Sequence, residues 1–151
     1  MNTNLKEELI IECFRVLSQK EEALKVDIAQ LRDGIANDSK SSMGDKYETS
    51  REMSQQEINR LEQQQSLVKQ QVFQLKNIAL NSITDKIILG SLVQTSIGYF
   101  LIATALGEVQ FDNQSIYVIS PVAPIAKLLL NQSEGNEIMN NNKQIKIIAI
   151  S

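Results

Sequence analysis

The chain has 151 residues, a net charge of −3, one cysteine and no histidine. The missing histidine excludes Ser-His-Asp and Cys-His catalysis, and a lone cysteine leaves neither an intrachain disulfide nor a zinc site built from several Cys and His ligands. Residues up to Ile83 carry 11 Lys and Arg against 13 Asp and Glu, and the remainder 4 against 5, so no basic half exists to capture nucleic acid by counterion release. A protein partner is the better expectation.

Residues 1–8 lack the pattern of a signal peptide. From Ile10 the positions Phe14, Leu17, Glu21, Leu24, Ile28, Leu31 and Ile35 alternate steps of four and three, the spacing of a seam between paired helices, and only Glu21 breaks its apolar character. Cys13 lies beside this seam, where a buried small hydrophobe is expected rather than a reactive thiol. A polar segment follows at residues 38–48, and the same spacing then resumes at Tyr47, Arg51, Ser54, Ile58, Leu61, Gln65, Val68, Val72, Leu75 and Ala79. The nearest partner for each run is the other, and so short a connection makes them antiparallel neighbours. As continuous helix, residues 5–35 would reach roughly 45 Å and carry the 38–48 segment at their tip. The glutamines at 63–65 and 70–71 read as a solvated helix face with one polar seam position.

The texture changes near residues 81–85, which divides the chain into a helical part, 1–81, and a second part, 82–151. Strand-like segments are read at 86–89, 92–95, 98–103, 115–119 and 143–150, with turns at Gly107, Asp112-Asn113 and Asn140-Asn141-Asn142. Ser120-Pro121 reads as N-cap and first residue of a short helix over 122–130, which the segment 131–136 closes with Gly135. Most of Ile116, Val118, Ile125 and Leu130 should be core. The apolar run 97–107 is too short to span a bilayer as a helix. The expected fold is therefore α+β: a helical hairpin followed by a small antiparallel sheet with one short helix, in a soluble cytoplasmic monomer.

This order of elements, together with Tyr47-x-x-x-Arg51-Glu52, Ser120-Pro121-x-x-x-x-Ala126-x-Leu128-Leu129 and Glu134-Gly135-Asn136-Glu137, resembles the Gre family of bacterial transcription elongation factors. The resemblance covers nearly the whole chain in architecture. It implies an N-terminal coiled coil, a C-terminal domain of FKBP-like fold without prolyl isomerase activity, and RNA polymerase as partner. It further implies that the coiled coil enters the polymerase's secondary channel, where acidic tip residues help hold a second catalytic Mg²⁺ and the polymerase cleaves its own transcript. On that reading the chain is not itself an enzyme and has no cofactor of its own beyond a shared Mg²⁺.

The family places an Asp and a Glu three positions apart just before the residues matched here by Tyr47 and Arg51. Those two positions hold Lys40 and Met43, which do not bind magnesium, and a lysine there would oppose an added cation. Asp45 and Glu48 retain the spacing slightly later and would share a helix face, with Asp38 across the loop, so a shared Mg²⁺ through Asp45 and Glu48 is one reading. The other is that both acids enrich the first turn of the second helix, where the helix dipole favours negative charge. Met43 and Tyr47 fit packing of the loop on the hairpin. Ser39, Ser41 and Ser42, beside Gly44, fit a turn or an N-cap as readily as a phosphate contact. Two further classes stand beside the transcription reading: a coiled-coil adaptor that pairs with another chain, and an independent enzyme in the second part, which has few aromatic residues to line a pocket.

Overall fold

The computed structural model describes residues 3–38, 45–78 and 84–151. They form two helices, α1 (Thr3–Asp38) and α2 (Asp45–Lys76), then β1 (Leu92–Thr95), β2 (Gly98–Ile102), β3 (Gly107–Phe111), β4 (Gln114–Ile119), α3 (Pro124–Leu129), β5 (Glu137–Asn140) and β6 (Lys143–Ile150). The fold class is α+β. The chain makes two compact units, one of Met1–Arg15 with Gln71–Ser151 and the other of Val16–Gln70. Residues 81–83, on which the texture-based boundary falls, lie outside the described residues.

The described residues of the Val16–Gln70 unit all belong to α1 or α2. Seven residue steps separate Asp38 from Asp45 and span at most about 25 Å, whereas a parallel α2 would have to return along the roughly 54 Å of α1, so the two helices run antiparallel. Leu17, Leu24, Ile28, Ile58, Leu61 and Val68 are buried, and Glu21, Leu31, Ile35, Ser54 and Gln65 are half-buried at the intervening seam positions. The alternating spacing of the sequence thus becomes the contact line between the helices. Arg51 departs from it: it is exposed, because an ionised guanidinium is solvated at lower cost than it is buried without a partner. Arg32 crosses from α1 to Glu62 of α2 at 2.6 Å, while Glu57–Arg60 pairs within one turn of α2.

In the other unit, six strands form one sheet in the order β3-β4-β2-β1-β6-β5. Adjacent strands are antiparallel except β2 and β4, which run parallel with Tyr99 opposite Ile116 and Ile102 opposite Ile119. The sheet is therefore mixed, where strand-by-strand reading leads to a purely antiparallel one. The parallel pair arises from the β3–β4 hairpin: β4, with Ile116, Val118 and Ile119, takes the inner place beside β2, and β3, with exposed Glu108 and Gln110, takes the edge. Of the three two-residue hairpins, β3–β4 and β5–β6 use consecutive residues of positive φ, Asp112-Asn113 (51° and 61°) and Asn141-Asn142 (51° and 66°), the geometry that matches strand twist in such turns.

One face of the sheet holds a core of Ile87, Val93, Phe100, Ile102, Leu129, Ile138, Ile145 and Ile147, flanked by Ile119, Ile125, Leu130 and Ile150. Leu92, Leu101, Ile116 and Val118, which alternate with these along their strands, are buried as well, so the central strands are apolar on both sides.

Two expectations are corrected here. Residues 86–89 are not a strand: Lys86 makes a single bridge to Ser133, and Ile87 exchanges backbone hydrogen bonds with Asn131 and Gln132. The short helix begins at Pro124, not at residue 121 or 122, with Ala123 as N-cap and no side-chain cap bond. Proline has no N–H, so Pro124 fits the first helical position, and Ser120 instead closes a turn, its Oγ accepting from the Val122 N–H at 3.2 Å and its carbonyl from Ala123 N–H at 3.0 Å.

The Glu134-Gly135-Asn136 segment binds β6. Gly135, at φ 85°, donates its N–H to the Ile147 carbonyl at 2.8 Å, Asn136 accepts from Ile147 N–H at 2.9 Å, and Glu134 Oε1 accepts from Ile150 N–H at 2.9 Å. Only glycine adopts that backbone without strain.

Candidate functional site

The sequence concentrates its candidate residues between Asp38 and Glu48. Asp38 is the last residue of α1 and Asp45 the first of α2, so the segment does link two helix ends. Lys40, Ser41, Ser42, Met43 and Gly44 lie outside the described residues, as do the side chains of Asp38, Asp45 and Tyr47. Of the candidate acids, Glu48 is described, and its side chain is exposed on the first turn of α2.

Glu48 belongs to a surface that sequence reading only partly singled out. Together with Thr49, Arg51, Glu52 and Gln55 it lines an open recess on α2. Glu48, Arg51, Glu52 and Gln55 follow i, i+3, i+4, i+7 spacing and so share one helix face. This places Arg51 and Glu52, the matched residues of the Tyr47-x-x-x-Arg51-Glu52 motif, beside Glu48 on a solvent-facing surface and not in the seam. The stripe alternates acid, base, acid and amide. Such a surface can accept and donate hydrogen bonds and pair with either sign of charge, but its acids alone do not form a cation cage. Among the described residues no group of three or more His, Cys, Asp or Glu is placed to hold a metal ion. The spacing that would have revealed the stripe is visible in the sequence once residue 51 is removed from the seam.

A second recess lies further along the same unit, lined by Asp27, Gln30 and Leu31 of α1 and Glu57, Arg60 and Leu61 of α2. Arg60 holds Glu57 through two bonds, Nε to Oε2 at 2.9 Å and Nη2 to Oε1 at 2.5 Å. The guanidinium hydrogen bond lowers the Glu57 carboxyl below its ordinary range, and the same bond raises Arg60. With its arginine occupied, this recess offers less free chemistry than the one at Glu48.

Cys13 is fully buried, and loss of hydration, followed by the nearby Glu12 charge, pushes its thiol up to about 12. It packs as an apolar residue. Among the described residues no helix is long and apolar enough to cross a membrane.

A scan against protein-family models gives no match, and a search of the curated proteins gives none. Among solved structures the chain is similar to one titled "Structure of the transcription factor Gfh1", with 19% sequence identity, 97% of this chain and 92% of that chain covered, and a TM-score of 0.34. At that overlap the likeness carries no argument about activity; the fold described above rests on its own helices, strand order and register.

Proposed function

We propose that the chain is a Gre-like transcription elongation factor that binds RNA polymerase and delivers residues 38–48, with the Glu48–Arg51–Glu52 face behind them, into the secondary channel. The observation that carries this reading is the helical unit: two long helices whose apolar seam closes within one chain, joined only by a short polar segment, with a motif-bearing exposed stripe directly after it. Such a hairpin presents its turn to a partner and leaves little for the turn to do by itself. The Ser120-Pro121 turn and the Glu134-Gly135-Asn136 contact to β6 support the same reading, because the matched motifs fall at turns that the following sheet and helix need.

On this reading the chain is not an enzyme; at most it assists cleavage by the polymerase. Asp45 and Glu48 would then share a magnesium ion with polymerase ligands, since a hard dication needs more oxygens than two carboxylates supply. Lys40 and Met43, at the positions where the family carries acids, favour a second reading within the same class, a factor that occupies the channel and does not promote cleavage. Purified protein added to backtracked complexes separates the two. Binding without transcript shortening selects the occupying factor. Shortening that is lost in Asp45→Ala with Glu48→Ala selects the cleavage factor, and shortening that survives both changes removes these acids from the mechanism. Failure to co-purify with polymerase, with the 38–48 segment intact, would overturn the proposal as a whole and leave the adaptor reading.

A further inference from the structure

Among the described residues the buried polar side chains are Lys6, Gln71, Ser91, Thr95 and Thr104. Two of them serve their own turns. Ser91 Oγ accepts from Ile88 N–H at 2.9 Å, and Thr95 Oγ1 donates to the Gly98 carbonyl at 2.8 Å. The remaining three act over long separations in sequence. Gln71 Nε2 donates to the Ala105 carbonyl at 2.7 Å, Thr104 Oγ1 donates to Gln74 Oε1 at 2.5 Å, and Lys6 Nζ donates to the Ser151 carbonyl at 3.4 Å, which also accepts the Leu92 N–H at 2.8 Å. All of these residues belong to the unit of Met1–Arg15 and Gln71–Ser151.

Gln71 and Gln74 are three apart on α2, so they face the same way, and both meet the loop that joins β2 to β3. Around them Leu75 and Ile78 are buried at 2% and 8% exposure. Apolar contact supplies most of the attraction but has no preferred direction, so by itself it lets a helix roll or slip against what it packs on. A hydrogen bond has a direction, and its loss costs most at the buried partner, here Gln71 and Thr104, while Gln74 and Ala105 are exposed.

We propose that Gln71 and Gln74, through Ala105 and Thr104, are positioning residues that fix the roll and axial register of the end of α2 against the β2–β3 loop of its own unit. The glutamines are keys set in an otherwise slippery seat. The proposal is independent of the transcription reading and stands or falls on geometry.

Spin labels at Phe73→Cys on α2 and Gln110→Cys on β3, both exposed positions in this unit, report the seat through their distance distribution, measured by pulsed electron resonance on the full chain well below its melting temperature. One narrow distribution is expected, and it should shift or split in the labelled Gln71→Leu, Gln74→Leu double variant, which keeps the bulk and removes both bonds. A broad distribution before substitution, or an unchanged narrow one after it, overturns the proposal and leaves the glutamines as mere partners for a buried loop. Thr104→Val, which deletes only the hydroxyl, serves if the double variant does not fold: a shifted distribution supports the key, and an unshifted one rejects it.

Discussion

Cys13 and Lys6 show how burial changes the chemistry of a side chain. Loss of hydration lifts the Cys13 thiol from an ordinary value near 9 to about 12, so at mildly alkaline pH it should resist alkylation in the folded chain and react at once after denaturation, as followed by mass spectrometry. Lys6 is 4% exposed, and burial lowers its ammonium below the ordinary 10.5. The two protonation states then enter folding in a definite order. Below the folded pKa both folded and unfolded chains hold the proton, and the cost of a buried charge stands in full. As pH rises through the folded value the folded lysine releases its proton first, the unfolded chain binds more protons, and stability climbs until about the unfolded value near 10.5. Denaturant titrations across that range should show the rise in the parent relative to Lys6→Met; parallel curves would remove Lys6 as its source. The burial of Cys13 follows from its place beside the seam, whereas that of Lys6 does not, since a lysine at position 6 reads as an ordinary solvated charge.

At the scale of elements, the helical seam was legible because it needs only local periodicity. Leu17, Leu24, Ile28, Ile58, Leu61 and Val68 fall where steps of three and four place them. Ile58→Ala, at 2% exposure, should therefore cost toward the lower end of about 2–5 kcal/mol in thermal melts followed by circular dichroism, since a two-helix seam collapses around a small void more readily than a deep core. Arg32→Ala should cost below about 1 kcal/mol, because its pair with Glu62 is solvated. Gly34 gives the opposite sign: it is exposed within α1, and a Cβ there would meet nothing within 4 Å, so Gly34→Ala should raise stability by roughly 0.5–1 kcal/mol. What was not legible has a common cause. Gln71 has the polar texture of a solvated helix face, yet it is buried because the β2–β3 loop, more than thirty residues away, offers it a carbonyl. Residues 86–89 have strand-like composition but pair only through Lys86 and Ser133. The parallel β2–β4 pair likewise depends on which strand of a hairpin turns inward. β1 and β6 were legible to the residue, being alternating or β-branched runs between clear turn signals, and both asparagine-rich turns followed from their preference for positive φ. At the candidate site the spacing of Glu48, Arg51, Glu52 and Gln55 was readable, while the surface they share was hidden by assigning Arg51 to the seam.

For the whole molecule, the closing of the seam inside one chain sets its solution behaviour. Leu17, Leu24, Ile28, Ile58, Leu61 and Val68 are already buried within the Val16–Gln70 unit, so no second copy is needed to bury them. Sedimentation should give a monomer whose coefficient does not change with modest dilution; reversible dimers would point to a coiled coil shared between chains and to the adaptor reading. The two compact units also differ in a way that bears on synthesis. Val16–Gln70 is one uninterrupted stretch, whereas the sheet unit recruits Met1–Arg15 together with Gln71–Ser151. As the polypeptide leaves the ribosome, the helical unit has all its residues before the first strand appears, yet Lys6 waits for Ser151, 145 residues further on, to find its carbonyl. Residues 3–15 are therefore made well before the strands they share a unit with, and a chain stalled before β6 would hold the first turns of α1 without their native contacts, open to chaperones and proteases.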